Sequence, residues 1–69
     1  MKVFVNNKEI ILFEGAKVKD AVLSFDKKIL REISLYEILD KYGNQTGIDG
    51  ALQEGNVLFI NKLEIKNSL

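Results

Sequence analysis

The 69-residue sequence contains no cysteine and no histidine. Without cysteine, no disulfide and no thiolate metal site can staple the fold. Without histidine, the commonest general base and the commonest metal ligand are both missing. An excess of either charge is missing too: ten Lys and Arg offset ten Asp and Glu. There is therefore no basic field with which to displace counterions from nucleic acid. No apolar run approaches the ~20 residues of a membrane span, and "MKVFVNN" turns polar too soon for a signal peptide. These absences lead to the expectation of a cytoplasmic protein that works without a cofactor, nucleic acid or a membrane.

What is present reads as one small domain covering residues 1–69. The apolar fraction of 46% is ordinary for a globular chain and too high for a disordered one. A domain of this length buries only about 60% of its unfolded surface, so its core is modest. "MKVFVNNKEIILF" divides into two strands at Asn6-Asn7, a pair that tolerates the positive φ of a type I′ turn. That turn pairs Val5 with Lys8, Val3 with Ile10 and Met1 with Leu12. Strand alternation then puts Met1, Val3, Val5, Ile10 and Leu12 on one face and Lys2, Phe4, Glu9, Ile11 and Phe13 on the other.

After Glu14-Gly15, Val18, Ala21, Val22 and Phe25 recur at helical spacing and form one apolar stripe. No Ser, Thr or Asp stands immediately before this stripe to cap it. Asp26 is placed to cap a short turn carrying Ile29, Leu30 and Ile33. Ser34 to Asp40 reads as a third strand, with Tyr36 and Ile38 on one side and Leu35 and Leu39 on the other. "NVLFINKLEI" supplies the last strand, with Leu58 and Ile60 alternating against Val57 and Phe59, and "KNSL" reads as a frayed tail. The expected architecture is α+β: a mixed sheet of about four strands, the first and last parallel, with one main helix packed on one face.

"DKYGNQTGIDGALQEG" holds four of the five glycines. Their spacing at 43, 47, 50 and 55 matches neither a Walker loop, which needs Gly-Lys-Ser/Thr, nor a G-x-G-x-x-G dinucleotide loop followed by a helix. Counted from Asp40 as a calcium loop, position 3 is Tyr42, position 6 is Gln45 and position 12 is Ala51, where a carboxylate, a glycine and a glutamate are wanted. The glycines are better read as turns, with Leu52 plugging the bottom of the core and Gly55 feeding the last strand.

"MKVFVNNKEI", a helix containing "VKDAVL", and then "ALQEGNVLFI" together resemble the β-grasp, or ubiquitin-like, superfamily over roughly residues 1 to 62. Leu52-x-x-Gly55-x-x-Leu58-x-Ile60 resembles the entry to the final strand in the sulfur carriers of thiamine and molybdopterin synthesis, and "FEGAKVKDAV" resembles their strand-to-helix corner. Asn56 stands where those carriers usually have Asp. The resemblance implies a single ubiquitin-like β-grasp domain. It does not bring the carrier chemistry with it, because that chemistry adenylates a slim Gly-Gly tail. Here the sequence runs on through Leu63 and Ile65 to Ser68 and Leu69.

In such a fold the outer sheet face gathers Phe4, Ile11, Phe13, Val57 and Phe59, and an apolar patch of this kind usually marks a partner site. The resemblance points the same way, since ubiquitin-like proteins commonly bind partners through this face. The alternative is that residues 26–35 or the C-terminal tail fold over the face and make it core. The expected function is a non-catalytic binding module whose partner is another protein or a second copy. A diverged sulfur-carrier-like protein is the runner-up. An enzyme is not expected: no pair of carboxylates, lysines or hydroxyls has a spacing that stands out.

Overall fold

The computed structural model describes residues 1–64. The frayed tail expected at "KNSL", and Ile65, Ser68 and Leu69 of the carrier comparison, lie outside them. Within the described residues, strand β1 (Lys2–Val5) turns into β2 (Lys8–Ile11) through Asn6 and Asn7, both at positive φ, 49° and 67°. This is the backbone a type I′ turn requires, and its twist matches that of the flanking strands. The register follows: Val3 faces Ile10 and Val5 faces Lys8. Met1 and Leu12 continue it beyond the strands, exchanging two backbone hydrogen bonds of 2.7 and 2.8 Å.

Helix α1 (Val18–Phe25) buries Val18, Ala21 and Val22 against the sheet. Its missing cap is made up in two ways. The Asp20 carboxylate accepts the Lys17 N–H at 2.8 Å. The N–H groups of Val18 and Lys19, which have no partner within the helix, donate to the carbonyls of Gly50 and Ile48 at 2.9 and 2.8 Å. The glycine-rich segment thus caps the helix from about thirty residues away in the chain. Gly50 allows this approach, because a Cβ there would sit 3.1 Å from Thr46 Oγ1 and 3.4 Å from a Val18 methyl.

A short helix α2 (Lys27–Arg31) follows, capped by Asp26, whose carboxylate accepts the Lys28 N–H at 2.9 Å. A 3-10 turn covers Ile33–Leu35 before strand β3 (Tyr36–Asp40) begins. The strand expected from Ser34 therefore starts two residues later. The Leu35 N–H is taken by the Glu32 carbonyl at 2.8 Å, so although the Leu35 carbonyl accepts the Leu63 N–H at 2.8 Å, the strand itself begins where Tyr36 meets Lys62.

Strand β4 (Val57–Lys62) lies between β1 and β3, giving the order β2-β1-β4-β3, parallel to β1 and antiparallel to β3. Side chains close both ends of the parallel ladder. At one end the Lys2 N–H donates to Glu54 Oε1 while the Lys2 carbonyl accepts the Gly55 N–H. At the other, Asn6 Oδ1 accepts the Ile60 N–H at 2.8 Å and Asn6 Nδ2 donates to the Ile60 carbonyl at 3.3 Å. The architecture is α+β, a four-stranded mixed sheet with one main helix on one face. The core lies between them and is built from Val3, Val5, Ile10, Ile38, Leu58 and Ile60 of the sheet and the α1 stripe, with Leu12, Ala16 and Leu52 at its ends. No helix among the described residues is long and apolar enough to cross a membrane.

Candidate functional site

Because side chains alternate along a strand, the register that sends Val3, Val5, Leu58 and Ile60 inward sends their neighbours to the opposite face. Phe4 lies directly beside Val57 across the parallel ladder, and Phe59 beside Leu39 across the antiparallel one. Phe59 follows Val57 by two residues and so shares its face. Ile11 lies opposite Lys2, diagonal to Phe4, within the 7–8 Å over which large side chains on one sheet face still touch. The result is an apolar band running obliquely across all four strands: Ile11, Phe4, Val57, Phe59, Leu39. Phe13 extends it past the end of β2.

Exposure is uneven along the band. Ile11 and Phe13 stand 66% and 64% exposed, while Phe4, Val57, Phe59 and Leu39 are half-buried. Charges border it: Lys2 and Glu9 pair at 3.5 Å beside Phe4 and Ile11, and Glu37 and Asn61 face each other at the far end. Sequence reasoning grouped Phe4, Ile11, Phe13, Val57 and Phe59 on this face, and the fold brings them to it. Leu39 completes the band. Its alternation with Ile38 was visible in the sequence, but its position beside Phe59 depends on the β3–β4 register.

Within residues 26–35, Ile29, Leu30 and Ile33 do not supply a cover. They pack against the core on the helix side of the sheet. Leu63 is 44% exposed, and a cover by Ile65 and the tail beyond it lies outside the described residues.

Asp40, Asp49 and Glu54 of the glycine-rich segment, and Asn56 just after it, each have a structural partner. Asp40 Oδ1 accepts the N–H groups of Tyr42 and Asn44 at 2.8 and 3.0 Å, an Asx-type turn. Asn56 Oδ1 accepts the Gln53 N–H. Glu54 caps Lys2, and Asp49 faces Lys19 at 3.8 Å. Gly43 and Gly55 take positive φ, 82° and 83°. The segment also walls a half-open cleft of about 250 Å³ with Lys41, Tyr42, Thr46 and Asn56 at its rim and Leu52 and Leu58 at its floor. Asp40 and Asn56 are already engaged by backbone N–H groups.

Comparison with protein-family models, curated proteins and solved structures finds no match to this chain.

Proposed function

We propose that this protein is a non-catalytic β-grasp domain of ubiquitin-like kind, acting in the cytoplasm, that binds a protein partner through the outer face of its sheet. The observation that carries the reading is the apolar band itself. A sheet whose other face is fully used by α1 and the core carries a second row of large apolar side chains, bordered by Lys2, Glu9 and Glu37. Monomeric proteins rarely expose a contiguous apolar patch without using it. The strand order, with parallel first and last strands at the centre and a single helix across them, supports the β-grasp resemblance. The partner surface that fits is apolar at its centre, with basic groups to meet Glu9 and Glu37.

The test is the Phe4→Asp/Phe59→Asp double variant. Both side chains are half-buried on the face and outside the core, so the variant should keep its far-UV circular dichroism and melt cooperatively. Proteins retained by immobilised wild type should be lost from the variant. Partners that remain bound to a folded variant refute the assignment, and a variant that unfolds shows that the face is core.

A further inference from the structure

The two edges of the sheet are treated differently. The β3 edge is covered from within: the Thr46 N–H donates to the Ile38 carbonyl and the Asp40 N–H to the Asn44 carbonyl, both at 2.9 Å, and Leu39 bridges Gln45. The β2 edge has no such cover among the described residues. In the β1–β2 ladder the bonded pairs are Met1 with Leu12 and, by alternation, Val3 with Ile10 and Val5 with Lys8. The intervening residues of β1 turn their backbone groups to β4, as the bonds from Phe4 to Asn56 and from Gly55 to Lys2 show. The corresponding residues of β2, Glu9 and Ile11, therefore direct their N–H and C=O groups outward. Unpaired edge groups of this sort are a template for another strand.

We infer that β2 pairs antiparallel with β2 of a second copy of this chain, with Ile11 on the two-fold axis. A two-fold interface must be self-complementary, and the sequence around Ile11 is. Ile11 faces Ile11. Ile10 faces Leu12 of the other copy, both on the core side of the sheet. Lys8 comes near Glu14, which opens the turn after β2 and stands exposed 3.9 Å from its own N-terminal ammonium, giving a pair of opposite charges across the axis. Glu9 lies beside Phe13. Moving the axis to Glu9 sets two carboxylates against each other, and moving it to Ile10 sets Lys8 against Leu12. The Ile10 axis is excluded as well because Ile10 turns its backbone groups to Val3 of β1, and the Ile11 register sets Ile11 on Ile11, Ile10 on Leu12 and Lys8 near Glu14. It also brings the most exposed members of the outer band, Ile11 and Phe13 of both copies, together at the centre of one continuous eight-stranded sheet. The dimer rests on the β2 edge and not on the binding role of the face, so either can fail while the other stands.

Sedimentation equilibrium from micromolar to millimolar protein tests the pairing. Wild type is expected to shift from monomer to dimer, and Phe4→Asp/Phe59→Asp should dimerise as well. Ile11→Pro removes an outward N–H that no β1 residue uses, a position where an edge strand accepts proline, and should stay monomeric. Lys8→Glu and Glu14→Lys should each raise the dissociation constant at least about threefold, since each alters two symmetric exposed pairs. The double charge swap should restore it. Hydrogen exchange gives a readout that needs no variant: the Glu9 and Ile11 amides should become protected as wild-type concentration rises. A wild type monomeric throughout, a dimer that survives Ile11→Pro, or exchange at Glu9 and Ile11 independent of concentration each overturns the inference.

Discussion

Asn6 and Asn7 form one turn, but only Asn6 also joins two distant strands, and substitution separates those two tasks. Both residues hold positive φ, which glycine adopts freely and alanine does not. Asn6 alone makes side-chain bonds to Ile60, accepting its N–H and donating to its carbonyl. Each such bond contributes about 1 kcal/mol net. Asn6→Gly and Asn7→Gly add the same backbone freedom to the unfolded chain, so their difference isolates the two bonds, about 2 kcal/mol. Asn6→Ala adds the left-handed penalty of about 1 kcal/mol, for a total near 3 kcal/mol. For a domain of this size 1 kcal/mol moves the melting temperature by roughly 4–8 °C. Asn6→Gly should therefore melt roughly 8–16 °C below Asn7→Gly, and Asn6→Ala lower still. Thermal unfolding followed by far-UV circular dichroism measures all three. Equal melting temperatures for the two glycine variants would show that the bonds to Ile60 contribute nothing and that the turn is the whole role of the pair.

Two further substitutions probe the core and the distant cap. Val22→Ala removes two methyls from a site with no exposure. It should cost about 2–3 kcal/mol in urea unfolding, a large share of what so small a domain has. Gly50→Ala crowds Thr46, Gly47 and Val18, with contacts of 3.1–3.4 Å, and should cost about 1–3 kcal/mol. Gly47→Ala meets nothing within 4 Å and should be neutral or stabilising by up to about 1 kcal/mol. A reversed order at these two glycines would refute the account of how the segment caps α1.

Local chemistry carried the sequence reading a long way. The Asn6-Asn7 turn fixed the hairpin register, because a one-residue slip would send Val3, Val5 and Ile10 to the wrong face. The 3.6-residue stripe from Val18 to Phe25 fixed the helix and the face it buries. Asp26 announced its own short turn, as capping residues do. The miss at Ser34 and Leu35 has a simple cause. Both suit a strand locally, but the Leu35 N–H is committed to the Glu32 carbonyl, which keeps them in a 3-10 turn even though the Leu35 carbonyl accepts the Leu63 N–H at 2.8 Å. The outer band was legible as a set of residues for the same period-2 reason, but its shape was not. Its diagonal course from Ile11 to Leu39 depends on two registers, β1–β4 and β3–β4, that no local signal encodes.

The sequence by itself determined which segments form strands, which forms the main helix and which side of each is apolar, because those follow from turn conformation and from periods of 2.0 and 3.6 residues. It also excluded thiolate and imidazole chemistry, by composition alone. The tertiary structure decided everything that joins segments far apart in the chain. It laid Gly50 and Ile48 on the uncapped N-terminus of α1 and Asn6 on Ile60. It folded residues 44–46 over the β3 edge and left the β2 edge uncovered among the described residues. Those outcomes rest on backbone groups that must find partners once buried, and which partner is in reach is set by the packing of the whole sheet.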